Sequence, residues 1–365
     1  MYKKAYICDP HNSHAVSLIK RTDPQVQEIY SAIYQRIDRK RDIIAQVPHS
    51  DPKLRRAMRE TYYLHIYHTN AIEGNSMSLL QTRSIIETGY VVPGKTVKEH
   101  TEVLGLHDAL GFINSTLVNK HGPITMEDLL SIHKRVMGYT DPHIAGAFRN
   151  HQVYIANHIP PAPGLIEQEM DNFFLWLKSE SILKLHPIEL AGLAHYWLVH
   201  IHPFVDGNGR TARLLMNLIL MQSGFPPVTI SFSDRLAYYE FLQLGNEGDI
   251  RPFLRFVASC TERSLDAYLE VTGKHILPVD ENDRDDHESR KMRIESLFEN
   301  AIPLSYEIDR VDGSNEENLT VNIDSAGEIK HDNSVDNVKF GPSEMRSNNP
   351  LESEPKCPFE DEFCK

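Results

Sequence analysis

Two long apolar runs, separated by a proline and a glycine-rich turn, constrain this chain more than any other feature: HPIELAGLAHYWLVHIHPFVDGNGRTARLLMNLILMQSGFPP, residues 186–227. Pro187 suits the first turn of a helix, the run to Ile201 reads as buried helix, and Pro203 ends it just after His202. FVDGNG then forms a loop. From Arg210 a second buried helix carries Leu214, Leu215, Leu218, Ile219 and Met221, and it stops at Gly224 before two prolines. A Gly-Asn-Gly turn that opens onto a helix N-terminus is a recipe for an anion site. Unpaired N–H groups of Gly207, Asn208 and Gly209 point outward, reinforced by roughly half a positive charge from the helix dipole. Arg210 and Arg213, one turn apart, add guanidinium forks for non-bridging phosphate oxygens.

Two further groups make transfer conceivable. Asp206 stands at the lip of the turn, and one carboxylate plus phosphate oxygens is how Mg²⁺ is usually held, because that ion keeps several waters. His202, with an ordinary pKa of about 6.5, is mostly neutral at pH 7 and can accept a proton from an attacking hydroxyl. His195, His200 and His202 also raise a zinc reading, but 195 and 202 are seven apart and 200 points away from 202, so no converging set is expected.

A rival phosphate site is spelled by GYVVPGKT, residues 89–96, which matches the Walker A pattern. Its context is wrong. Ser78-Leu-Leu-Gln81 is a capping box, and Leu79, Leu80, Ile85 and Ile86 share a helix face, so Gly89 reads as a helix C-cap and Pro93 as a breaker. No strand precedes this turn, and no apolar strand ends in a Walker B Asp.

The rest of the chain is nearly all α. Residues 1–50 carry helical spacing at Val26, Ile29, Tyr30, Ile33, Tyr34 and Ile37, expected as a connecting helix. A second helix starts at the Asp51-Pro52 cap and ends at Gly74, and further helices are expected at about 97–118, 125–137, 165–180, 187–202, 210–223, 234–246 and 252–270. FRNHQVYIANHIPPAP, 148–163, alternates like a strand and is expected as a short β-hairpin or flap. From 273 to 365 the sequence turns acidic and aperiodic and is expected to be a disordered tail. A formal net charge of −13 without clustered Lys and Arg argues against nucleic acid as a partner. The four cysteines show no metal spacing, although Cys357 and Cys364 could bridge within the tail. No apolar stretch is long enough to span a bilayer, and no signal-like segment follows Met1. The chain is therefore expected in the cytoplasm if Met1 is the true start. Asn114-Ser-Thr116 and Asn318-Leu-Thr320 are glycosylation acceptors that point instead to a fragment or isoform lacking its targeting region.

HPFVDGNGRTAR, residues 202–213, matches H-x-F-x-(D/E)-G-N-G-R-x-x-R at every specified position and resembles the signature of Fic-domain proteins. The chance of such a match is on the order of 10⁻¹⁰ per start position. The resemblance covers about residues 51–270, extends to the flap and to YYEFLQLGNEGDIRPFLRF, and is closest to the metazoan FICD (HYPE) type of protein adenylyltransferase. It implies a Fic-fold helical bundle over 51–272 that transfers AMP from ATP, with Mg²⁺ or Mn²⁺, to a Ser, Thr or Tyr hydroxyl of a target protein. His202 would be the general base, Asp206 the metal ligand, and Gly207, Asn208, Gly209 and Arg210 the anion hole, with Arg213 on the γ-phosphate. Tyr239 and Asn246 would contact adenine, and the flap near Val153 would register the target by strand addition.

TNAIEGN, Thr69 to Asn75, is similar to the inhibitory motif (S/T)-x-x-x-E-(G/N) of the family. Glu73 is odd in its own right, a carboxylate in the last turn of a helix, where the dipole favours cations. The resemblance pairs it with Arg213, an interaction worth up to ~4 kcal/mol at an effective dielectric near 20 before desolvation. It further implies that Glu73 supports the reverse reaction, hydrolysis of the AMP-protein bond, that the target is an Hsp70-type chaperone of the endoplasmic reticulum, and that a homodimer forms. Two other readings remain open: a binding module that senses nucleotide without catalysis, and a Fic-type transferase of another phosphate-linked group.

Overall fold

The computed structural model describes residues 13–155 and 158–274, and among them all regular structure is helical. Eleven α-helices follow in chain order among the described residues: α1 Ser13–Ala45, α2 Pro52–Ile72, α3 Leu79–Thr88, α4 Val97–Phe112, α5 Met126–Gly138, α6 Ile166–Leu177, α7 Glu180–Leu183, α8 Pro187–Ile201, α9 Asn208–Gln222, α10 Arg235–Asn246 and α11 Arg251–Thr272. Their starts follow the sequence signals. Asp51 caps α2 ahead of Pro52, and Ser78, Thr96 and Thr125 each close a reciprocal capping box on the next helix.

The two apolar runs form the centre. α8 and α9 pack along each other, burying Leu198, Ile201, Phe204, Leu214, Leu215 and Leu218 completely. α11 covers α8 on one side, α5 and α6 lie on others, and the end of α2 reaches the start of α9. α1 lies against α11, where buried Lys40 bonds Glu262 at 2.7 Å and Asp266 at 2.5 Å, and Arg36 bonds Glu262 at 2.7 Å.

Three expectations change in detail. The helix expected over 97–118 is α only to Phe112; one π-helical turn, Ile113–Leu117, continues it and leaves Asn114, Ser115 and Thr116 exposed. The second helix of the central pair begins at Asn208, two residues before Arg210. The flap holds no strand among the described residues; its hairpin is reduced to one antiparallel bridge, Ile155 with His158, because prolines at 160 and 161 remove the N–H groups a longer ladder needs. The acidic tail, Cys357, Cys364 and Asn318 lie outside the described residues, and no described helix is long and apolar enough to cross a membrane.

The Walker-like turn is spent on local structure. Gly89, at φ 70, caps α3 with its N–H on Ile85, Lys95 donates its ammonium to the Ser76 carbonyl and hydroxyl at 2.6 and 2.7 Å, and Thr96 caps α4.

Candidate active site

His202 follows the last residue of α8 at φ 50 and ψ 58, the one described residue other than glycine with a left-handed backbone. A β-carbon makes that conformation costly, so something must hold it. Arg149 does so. Its Nε donates to the His202 carbonyl at 2.8 Å, and its backbone N–H donates to the Pro203 carbonyl at 2.9 Å. The His202 Nδ1 lies 3.3 Å from the Val199 carbonyl, which places the proton there and leaves the lone pair on Nε2. Burial pushes the imidazole pKa down to about 4; the positive fields of Arg149 and His158 act in the same direction, against the Val199 carbonyl and Glu73. At neutral pH the ring is an unprotonated base.

α9 begins at Gly207, whose φ of 77 turns the loop into the helix. A side chain there would strike the Met137 sulfur and His133. No side chain caps this helix, so the first-turn N–H groups of Asn208, Gly209 and Arg210 have no capping acceptor. The Gly207 N–H, expected in that set, is instead taken by Asp206 Oδ1 at 2.6 Å. The Asn208 side chain is buried and braces the loop, accepting from the Phe204 N–H and donating to the Phe204 carbonyl, both at 2.9 Å. Only its backbone is offered to a ligand.

Arg210 and Arg213 are both almost fully buried, and they are partnered differently. Arg210 donates to Asp206 Oδ1 at 3.1 Å and faces Glu102 at 3.5 Å, while its Nε and Nη1 lack hydrogen bonds. Arg213 is engaged at both terminal nitrogens, although its Nε, like that of Arg210, lacks a hydrogen bond: Nη2 reaches Glu73 Oε1 at 2.6 Å and the Thr69 carbonyl at 3.1 Å, and Nη1 reaches the Tyr238 hydroxyl at 3.3 Å. Burial opposes its charge, but the Glu73 carboxylate and Tyr238 outweigh that and raise its pKa. Gly209 makes this approach possible, since a β-carbon there would lie 2.5 Å from Glu73 Oε1 and 3.1 Å from Arg213 Nη1. The Glu73 carboxylate therefore sits against Gly209 in the first turn of α9, with one oxygen on Arg213.

Asp206 fits a metal that brings most of its own ligands. Burial would raise its pKa, yet Arg210 and the Gly207 N–H hold it below the usual carboxylate value. One oxygen takes those bonds; the other is free of hydrogen bonds, on a side chain about half exposed at 48%. That donor set suits Mg²⁺, and among the described residues no group of three His, Cys, Asp or Glu could hold a metal alone. The three histidines of the zinc reading separate: His195 is buried against Tyr238, and His200 turns to Asn246.

The remaining expected residues lie on α10 and on the flap. Tyr239 and Asn246 lie two turns apart on one face of α10. The Tyr239 hydroxyl donates to the Ile72 carbonyl at the end of α2 at 3.3 Å, and Asn246 Oδ1 accepts from the Tyr196 hydroxyl at 2.8 Å. Val153 is half-buried, and its carbonyl accepts from the Gln152 side chain at 3.0 Å.

Residues 123–220 match the Fic/DOC family. In structure the chain is similar to residues 134–508 of Fic-1 from C. elegans, with a TM-score of 0.65 and 46% identity over 74% of this chain and 80% of that one. The chain belongs to the Fic/DOC family. A Fic-domain signalling protein from Bacteroides thetaiotaomicron shares the fold at a TM-score of 0.59 and 25% identity, with 68% of this chain and all of that one covered. Protein adenylyltransferase Fic from Nematostella vectensis is 52% identical over 272 residues, covering 74% of this chain and 64% of the relative. The counterpart from Aedes aegypti is 50% identical over 278 residues, covering 76% and 56%. The chain thus spans less than two thirds of the length of these curated relatives.

Two residues of this Fic core had no signal in the sequence. Besides its bonds at 202 and 203, Arg149 donates to the carbonyls of His151 and Pro161 at 2.9 and 2.7 Å. His133 accepts the Gly146 N–H at Nδ1, donates from Nε2 to the Asp206 carbonyl at 2.9 Å, and stacks on Phe204 at 3.6 Å. Burial lowers its pKa to about 4, so it braces the metal-side loop as a neutral ring. Both act on backbone carbonyls far along the chain, and nothing at their own positions announces it.

Proposed function

We propose that this chain is a protein adenylyltransferase held silent by its own Glu73. The observation that carries the reading is the 2.6 Å contact between Glu73 and Arg213 at the mouth of a cradle whose N–H groups carry no capping acceptor. When Glu73 withdraws, Arg213 is free for the γ-phosphate, and the N–H groups of the first turn of α9, with Arg210, receive the remaining phosphates. His202 Nε2 takes the proton of a Ser, Thr or Tyr hydroxyl as its oxygen bonds the α-phosphorus. The bond from that phosphorus to the β-phosphate bridging oxygen breaks, and pyrophosphate leaves. Asp206 would hold Mg²⁺ or Mn²⁺, whose charge favours that departure. Tyr239 and Asn246 would bind adenine, and the flap at Val153 would align the target backbone.

The reverse reaction belongs to the same site. Water adds to the phosphorus of the AMP-protein bond, the protein oxygen leaves with a proton, and AMP departs, with Glu73 orienting the water or taking its proton. The inferred target is an Hsp70-type chaperone in the lumen of the endoplasmic reticulum, modified by a homodimer. The exposed triplet Asn114-Ser-Thr116 on the π-turn supports that compartment, because a glycan fits there without disturbing the core. Residues 51–272 are taken as the catalytic unit, with 1–50 connecting and 273–365 as a tail. Purified chaperone, α-labelled ATP and Mg²⁺ test the reading. Labelling is expected to be weak with the native chain, strong with Glu73→Gly, and lost again when His202→Ala is added; equal labelling by all three would overturn it.

A further inference from the structure

We propose that Arg149 is a positioning residue that sets the catalytic His202 and the target-binding flap with one guanidinium, an inference that rests on the transferase reading above. The side chain is 2% exposed and, among the described residues, no carboxylate bonds it; all three of its hydrogen bonds go to backbone carbonyls. One bond fixes the carbonyl of His202, whose left-handed backbone needs an external restraint. The other two fix His151 and Pro161, the residues flanking the Ile155–His158 bridge on either side. The Arg149 N–H on the Pro203 carbonyl adds a fourth tie to the same loop. The distance between the base and an extended target segment laid on the flap is thus set by a rigid planar fork, which a lysine cannot reproduce.

The burial of an uncompensated cation has a second effect. Burial does most to keep the proton off the His202 ring; of the groups facing it, the Val199 carbonyl and Glu73 favour the proton, and Arg149 and His158 disfavour it. Arg149 is the permanent charge of that last pair, and its field adds to the larger effect of burial in disfavouring the ring proton.

Two substitutions separate the effects in the Glu73→Gly enzyme. Arg149→Lys keeps the charge and loses the fork; Arg149→Gln loses the charge and keeps two N–H donors. With purified Hsp70-type chaperone and α-labelled ATP, Arg149→Lys is expected to lower kcat/KM for the chaperone by roughly 10²-fold, the scale of an ångström misplacement of a reacting group. Mg-ATP affinity by calorimetry should stay within about twofold, because the cradle on α9 is untouched. In Arg149→Gln the acid limb of the pH profile should move to higher pH, and the His202 imidazole followed by NMR should titrate higher than in the Glu73→Gly parent, while Arg149→Lys leaves both in place. Unchanged kcat/KM and titration in both variants would overturn the proposal. So would loss of ATP binding in parallel with transfer, which would make Arg149 a support of the fold. If Glu73→Gly itself transfers nothing, the transferase reading fails, and the NMR titration still decides whether Arg149 controls the charge of His202.

Discussion

Two turns in this molecule carry the letters of a phosphate site, and only one has the physics. At residues 89–96 three donors of the motif are spent on local structure: the Gly89 N–H on Ile85, the Lys95 ammonium on Ser76, and the Thr96 hydroxyl on the capping box of α4. At residues 206–213 the helix starts without a side-chain cap, and two buried guanidiniums stand at its first turns. An anion site is defined by donors left over after folding, and a motif that spends its donors on caps cannot bind a phosphate. At the second turn the carboxylate of Glu73 lies on Arg213, and under the proposed reading that contact divides a competent cradle from an available one.

The comparison breaks most visibly at the base. In the Glu73→Gly enzyme, His202→Ala is expected to cut AMP transfer by roughly 10²–10⁴-fold in a labelled-ATP assay. Transfer that survives within a few-fold would remove His202 from the chemistry. Next is the lock. Glu73→Gly alone should raise transfer by roughly 10²-fold, well inside the ~4 kcal/mol ceiling for a close pair at an effective dielectric near 20. The same change should abolish release of AMP from pre-modified chaperone, and equal release by both forms would separate Glu73 from hydrolysis.

Tyr238 tests how rigidly Arg213 is held for Glu73. Its hydroxyl meets Arg213 Nη1 at 3.3 Å and His195 Nε2 at 3.1 Å in a fully buried setting. Tyr238→Phe strands polar atoms on both neighbours and should cost about 1–3 kcal/mol in a urea unfolding curve. A smaller effect is expected from acid. As the proposed base His202 would have to be neutral, and its pKa of about 4 lies below the ordinary 6.5 of histidine. Protonation silences it only as pH falls through the lower value, so kcat/KM at saturating Mg²⁺ should show no imidazole inflection near pH 6.5. Removing Glu73, which favours the ring proton, should leave the limb there or lower. The least effect is expected at the other turn. Lys95→Ala should leave ATP affinity within about twofold, since that ammonium is spent on Ser76.

The sequence made the cradle legible because its determinants are local. Pro187 and Pro203 bracket one helix, Gly207 and Gly224 the other, and the spacing of Arg210 and Arg213 follows from the helix turn. The oddity of Glu73 was equally local, a carboxylate against the dipole at a helix end. What stayed hidden depends mostly on contacts between distant segments and in one case on the geometry of a single turn. Arg149 and His133 bond carbonyls more than fifty residues away, and the Gly207 N–H was diverted by Asp206, a choice set by loop geometry that composition does not encode. The flap misled because alternation at Val153 and Ile155 mimics a strand, while its half-exposed backbone finds only one bridging partner among the described residues.

A crystal of the Glu73→Gly enzyme soaked with ATP and Mg²⁺ decides most directly between the two turns. The triphosphate is expected along the N–H groups of Asn208 to Arg210, its terminal phosphate on Arg213 and its α-phosphorus facing His202. A triphosphate at Lys95, or one at α9 that leaves Arg213 on Tyr238 and Thr69 as it stands now, would contradict the assignment of Glu73 as the group that withholds it.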